Sequence, residues 1–163
     1  MLAYVFWHQP ADTAVRAAYE ARLGAFHASI GVPSAWYRVG GLPWMPDGAD
    51  GYEDWYLVDD FAALGALNER AVSGSRRAPH DAAAAGAGWG IAGVYALKGG
   101  EPRLEDARYA AWRSKPAGTA YEAFEAGLRA DAVWQRQMTL GPTPEYVLHG
   151  AGPVEGDLIV AYR

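Results

Sequence analysis

Histidine is the side chain best suited to proton transfer near neutral pH, and His8 stands where a scaffold can present it. It follows Trp7 at the end of an apolar run and precedes Gln9 and Pro10. A neutral imidazole at a strand end can act as general base, hydrogen-bond donor or axial metal ligand. The plainer alternative is a satisfied packing histidine. A second candidate is Arg76-Arg77-Ala78-Pro79-His80, the densest basic cluster in an acidic chain, placed where a helix opens. Arg77 and His80 there can hold a carboxylate or phosphate against free N–H groups, or can simply face solvent. In a third segment, Val133–Pro144, apolar Trp134, Met138 and Leu140 interleave with Gln135, Arg136 and Gln137. It can plug or lid a cavity, with Arg136 reaching a ligand, or it can pack as a connector.

Other chemistries are excluded or weakened. The chain has no Cys, which removes disulfides, thiolate metal sites and cysteine nucleophiles together. No two histidines stand at the spacing of a compact metal site, so no metal is expected. Gly88-Trp89-Gly90-Ile91-Ala92-Gly93 matches the letters of a dinucleotide fingerprint. A working fingerprint follows a strand and opens a helix, whereas this one follows an Ala-rich helix and opens a strand. A net charge of −5 argues against a nucleic-acid partner, which would need a basic face. No stretch approaches the about 18 apolar residues of a membrane helix. The chain start lacks a basic signal region, and a cytoplasmic location is expected.

The elements that would position these residues are legible from periodicity. Strands are predicted at Leu2–Trp7, Ala35–Val39, Tyr52–Val58 and Ile91–Leu97. Between them, one helix carries the stripe Val15, Tyr19, Leu23, Phe26 and Ile30, capped by Asp12 or Thr13 and stopped at Gly31 and Pro33. A second, capped by Asp59 or Asp60, carries Phe61, Leu64, Leu67 and Val72, and a short Ala-rich helix follows. Gly40–Gly48 is a turn segment. Alternation puts Trp7 on one face with Ala3 and Val5, and Trp55 on one face with Glu53 and Leu57. Arg38 is a candidate partner for Glu53 or Asp54 across neighbouring strands. Beyond a polar linker over 99–107, strands are predicted at Arg108–Arg113, Glu145–His149 and Leu158–Tyr162, with a helix from Thr119 to Ala130.

Ala-Tyr-Glu-Ala occurs at Ala18–Ala21 and again at Ala120–Ala123, each time after an apolar run ending in Trp and then a Pro. This suggests an internal duplication with Tyr19 and Tyr121 in equivalent core positions. The expected fold is α+β: a ferredoxin-like βαββαβ unit over 1–98, then a truncated βαββ unit over 108–163, with antiparallel sheets forming a barrel-like core. This element order resembles the dimeric α+β barrel superfamily, with the second copy fused into one polypeptide. The resemblance implies a central cavity between sheets that takes small aromatic or hydrophobic molecules, and in some members haem. The expected function is therefore binding of a small hydrophobic ligand between the sheets, with Trp7 and Trp55 as walls and His80, Arg77 or Arg136 as polar anchors. His8 would be the catalytic group of a cofactor-independent oxygenase, isomerase or decarboxylase. A non-catalytic binding or assembly module is the competing class. Haem is a minor alternative: in haem-degrading members a helix His, a Trp and an Asn build the site. His80 and Trp55 are comparably placed here, but the first strand offers His8 and Gln9 in place of an Asn. Exposed strand edges of the truncated unit would invite a homodimer.

Overall fold

Apolar strands covered on both faces need two layers of partners, and here a curved sheet supplies one and its helices the other. The computed structural model describes residues 1–46, 50–138 and 140–163. Asp47 and Gly48 of the predicted turn and Thr139 of the Val133–Pro144 segment lie outside the described residues. Within them the chain runs β1 (Leu2–Pro10), α1 (Arg16–Ile30), β2 (Ser34–Val39), β3 (Gly51–Val58), α2 (Phe61–Ala71) and α3 (Arg77–Ala84). It continues through β4 (Ala87–Gly100), β5 (Tyr109–Arg113), α4 (Tyr121–Glu125), β6 (Ala132–Arg136), β7 (Tyr146–Gly150) and β8 (Leu158–Ala161). None of these helices is long and apolar enough to cross a membrane.

The strands form one sheet in the order β2-β3-β1-β4-β6-β7-β5-β8, and every described pairing is antiparallel. Its two ends meet. Arg38 N–H donates to the Arg163 carbonyl at 3.1 Å, Arg163 N–H returns the bond at 3.3 Å, and the Tyr37 and Tyr162 rings stack at 3.9 Å. The sheet is thus nearly barrel-shaped, and the edges that the sequence reading offers to a second chain lie against each other.

Inward side chains of both halves make one core, with Val5, Trp7, Trp55, Tyr95, Trp112, Trp134 and Val147 wholly buried. The Trp7 and Trp112 rings lie 5.7 Å apart, and Trp55 and Trp134 5.6 Å apart. Outside the first half, α1 buries Tyr19, Leu23 and Ile30. The helix ends at Gly31, whose φ of 74° is the left-handed conformation that glycine accepts without strain. Asp60 caps α2 by accepting from Ala63 N–H at 2.8 Å.

Three expectations are corrected. The start of the Val133–Pro144 segment is not an insert: Ala132–Arg136 is strand β6, seated between β4 and β7. The second half is therefore βαβββ among the described residues, and it differs from the first by the absence of a helix before its last strand. Second, α4 spans only Tyr121–Glu125, with Gly127 closing the turn onto the Phe124 carbonyl, and Tyr121 is 51% exposed where Tyr19 is 2% exposed. The repeated tyrosines do not occupy equivalent core positions. Third, Arg38 reaches Glu20 at 3.8 Å rather than Glu53 or Asp54, because Glu53 faces the interior and Asp54 is engaged by histidines.

Candidate functional site

Register on β1 and β3 sets the chemistry of both faces of the sheet. Trp7 stands opposite Glu53, while Phe6 stands opposite Asp54 and His8 opposite Tyr52. Since successive residues alternate in direction, Trp7 and Glu53 enter the interior, and Phe6, His8 and Asp54 face the helices.

On the helix side, His8 is wholly buried, stacked between Phe6 and Tyr52 with ring centroids at 5.1 and 5.4 Å. Its Nδ1 is 2.6 Å from the Tyr19 hydroxyl, and its Nε2 is 3.0 Å from Asp54 Oδ1. Nε2 and Oδ1 face each other as a close polar pair, and this contact is one cause of the low Asp54 carboxyl. Asp54 Oδ2 accepts from the Tyr56 hydroxyl at 3.1 Å and lies 3.3 Å from His27 Nε2. Tyr19 can come this close because its neighbour on the other side is Gly86, where an added Cβ would sit 2.7 Å from the tyrosine ring. Burial, reinforced by Asp54 and Tyr52, pushes the Tyr19 hydroxyl well above its ordinary range, so it remains a proton donor. Burial alone would raise the Asp54 carboxyl. The charge available on His8 and the hydrogen bond from His27 outweigh it and hold Asp54 well below the usual carboxylate range. Asp54, His8 and Tyr19 thus line up as carboxylate, imidazole and hydroxyl, an order able to relay a proton.

Above this relay lies a cleft of about 650 Å³ between the sheet and helices α1, α2 and α3. Its walls are mainly apolar, including Phe6, Phe26, Leu64 and Val94, and its polar residues include His8, Tyr19, Asp54 and His80. That size and balance fit a small-molecule site.

On the interior side, Glu53 is wholly buried and accepts from Trp7 Nε1 and Trp55 Nε1, each at 2.7 Å, and from the Tyr162 hydroxyl at 2.5 Å. Burial raises its carboxyl above the usual range, the three donors pull it down, and Asp54 pushes it up. The Tyr162 hydroxyl also meets His149 Nε2 at 2.7 Å. With Tyr162 donating to Glu53, His149 donates to Tyr162. Burial lowers His149 from 6.5 to about 3, so it is neutral in the fold and takes up a proton on unfolding. Stability should therefore fall as pH drops from 6.5 toward 3, by up to about 1.4 kcal/mol per unit. Urea titrations across that range should show this limb, and His149→Gln should flatten it.

The structure separates the residues singled out by sequence. His8 and His80 line the cleft, whereas Trp7 and Trp55 are buried core residues on the opposite face of the sheet and do not line it. His80 and Trp55, the pair needed for haem, are thus divided by the sheet and do not fit one haem site. Arg77 points outward and pairs with Asp81 at 3.6 Å. Its neighbour Arg76 caps the end of α1, donating from Nε to the Ser29 carbonyl at 2.9 Å. Arg136 donates to the Gly141 and Thr143 carbonyls and so ties down its own loop. The glycines of the Gly88–Gly93 run lie in β4, where Gly88 is packed against the Ala11 backbone and Gly90 against the Phe6 ring.

Sequence reading missed Tyr19 and Asp54 as partners of His8, and His27 as a partner of Asp54. Alternation on β3 places Asp54 opposite in direction to Trp55, and helical spacing sets Tyr19 on the buried stripe, so both faces were readable. Their meeting was not. No protein-family model matches this chain, and neither does any curated protein.

Proposed function

We propose that the protein binds a small, mainly hydrophobic molecule in the cleft between helices α1 to α3 and the outer face of β1, β3 and β4. The observation that carries this reading is an apolar cleft of about 650 Å³ whose polar end is the Tyr19–His8–Asp54 relay. An apolar wall with a few convergent polar groups is the usual make-up of a ligand site. A buried imidazole between a carboxylate and a hydroxyl adds the capacity to move a proton on the bound molecule, with His8 as the transferring group.

We also read the chain as a fused, duplicated ferredoxin-like protein of the dimeric α+β barrel kind. Support comes from the strand order: counted from its own first strand, each half reads 2-3-1-4 along the sheet. Registers agree as well, since Trp7 faces Glu53 as Trp112 faces Val147, and Tyr52 and Tyr146 each donate to a helix glutamate at 2.8 Å. The positions of the second half that correspond to His8 and Asp54 carry Arg113 and Leu148. There the outer face is an apolar cluster with Tyr146, Leu148 and Val154 buried. The relay and the cleft therefore mark the half that departs from a plain core.

Gly65→Phe tests the reading. Gly65 lines the cleft on α2, and an added Cβ there would meet nothing within 4 Å. Removing a helix-interior glycine should keep stability or raise it by about 0.5–1 kcal/mol. The new ring should project into the cleft and reduce the thermal upshift that wild-type protein is expected to show with small alkylbenzenes. Unchanged ligand stabilisation in a folded Gly65→Phe protein would place binding elsewhere.

A further inference from the structure

Most polar groups that line the cleft are already paired with one another. Tyr19 is bonded to His8 Nδ1, His8 Nε2 faces Asp54 Oδ1, and Asp54 Oδ2 is shared by Tyr56 and His27. A ligand's polar group must therefore be recognised elsewhere in the cleft. Tyr4, on its floor, is free to do so. The Tyr4 ring packs beside Phe6 and Tyr56, with centroids 6.5 and 6.1 Å away. Its hydroxyl has no hydrogen-bond partner among the described residues, yet it is not sealed from solvent. Burial and the nearby Asp54 charge raise that hydroxyl above its ordinary range, so it keeps its proton and donates. The facing wall is α2, whose cleft-lining residues are apolar or glycine except Asn68. Asn68 stands four residues after Leu64 and three before Ala71, and both of these pack against the same apolar cluster as Tyr4. The Asn68 side chain is exposed and so open to a ligand.

Resting on the cleft reading above, we infer that the ligand is a neutral, carbonyl-bearing hydrophobic molecule, of the aryl ketone or ester class. Its carbonyl oxygen accepts from the Tyr4 hydroxyl and from the Asn68 amide. A carbonyl oxygen has two lone pairs and no proton of its own to place, so it matches two donors. A carboxylate would lie close to Asp54, which stays ionised. An ammonium group would be buried without a free counter-charge, since both Asp54 oxygens are taken. The aromatic surround of Tyr4, Phe6, Phe26 and Tyr56 favours a ring next to the carbonyl.

Calorimetric titration of the full chain with para-butylacetophenone, butylbenzene, para-butylbenzoate and para-butylbenzylamine tests this. The ketone should bind most tightly. Tyr4→Phe removes only a hydroxyl without a protein partner, so the fold should persist, with circular dichroism reporting it. In that variant the ketone should lose about two- to tenfold in affinity, the range of one neutral hydrogen bond, while butylbenzene binds as before. Asn68→Ala should cost the ketone a similar factor. Equal losses for ketone and butylbenzene in Tyr4→Phe, or none for either, overturn the carbonyl assignment while leaving the cleft as a hydrophobic site. Unchanged ketone binding in Asn68→Ala overturns the second donor. Tightest binding by the benzoate or the amine overturns the inference in favour of a charged ligand. Binding by none of the four overturns both this inference and the cleft reading.

Discussion

Glu53→Ala should be the most damaging single change in the chain, costing about 4 kcal/mol or more in urea-denaturation free energy. It deprives three buried donors, the Trp7 and Trp55 indoles and the Tyr162 hydroxyl, of their shared acceptor. Each orphaned buried donor costs about 1–3 kcal/mol, and the lost side-chain volume adds to that. The same interior already holds the Trp44, Trp112 and Trp134 indole nitrogens without partners among the described residues, so no spare acceptor is at hand. Glu53→Gln should fall between the two. Its amide oxygen can keep Trp55 and Tyr162, while its NH₂ faces Trp7 N–H and leaves that one donor unpaired. A Glu53→Ala protein as stable as Glu53→Gln would show that the hydrogen bonds carry no weight.

Asp54→Ala should cost about 3–5 kcal/mol at neutral pH, the usual penalty for removing one member of a buried charged cluster. His8 Nε2 and His27 Nε2 then lose their buried oxygen partners at 3.0 and 3.3 Å. The effect depends on pH in a definite direction. Because Asp54 ionises more readily in the fold than its ordinary value of 3.8, its contribution is complete above that pH and fades as pH falls through and below it. The stability difference between wild type and Asp54→Asn should therefore shrink below about pH 3.8. A difference that stays constant from neutral pH down to pH 2 would mean that Asp54 is not ionised in its pair. This acid limb begins near pH 3.8, at the foot of the His149 limb, so single substitutions at the two sites should erase largely different parts of one stability profile.

These two networks occupy adjacent residues of β3 and point to opposite faces of one sheet. That geometry explains how much of the site could be read in advance. Period-two alternation alone pairs Trp7 with Val5 and Trp55 with Glu53, and the structure seats all four inside. The helical stripe through Tyr19, Leu23 and Ile30 is buried as spacing predicts, with Val15 left 49% exposed in the turn that opens α1. What failed was the strand Ala132–Arg136. Five residues with two polar members carry little local signal, and their strand state comes from pairing with β4 and β7, far away in sequence. The sequence points to an aromatic pocket between the sheets because indoles suggest walls. Indoles also pack into cores, and here Trp7, Trp55, Trp112 and Trp134 do so on the side away from the cleft.

By itself, then, the order of residues determined the antiparallel α+β character, most of the elements, and which side chains share a face, since these follow from local periodicity and steric preference. Only the tertiary structure decided which faces meet. It set Tyr19 and Asp54 on either side of His8, closed the sheet through Arg38 and Arg163, and opened the cleft under the helices rather than within the barrel. Those outcomes depend on register and helix docking between segments tens of residues apart, and no local pattern encodes such distances.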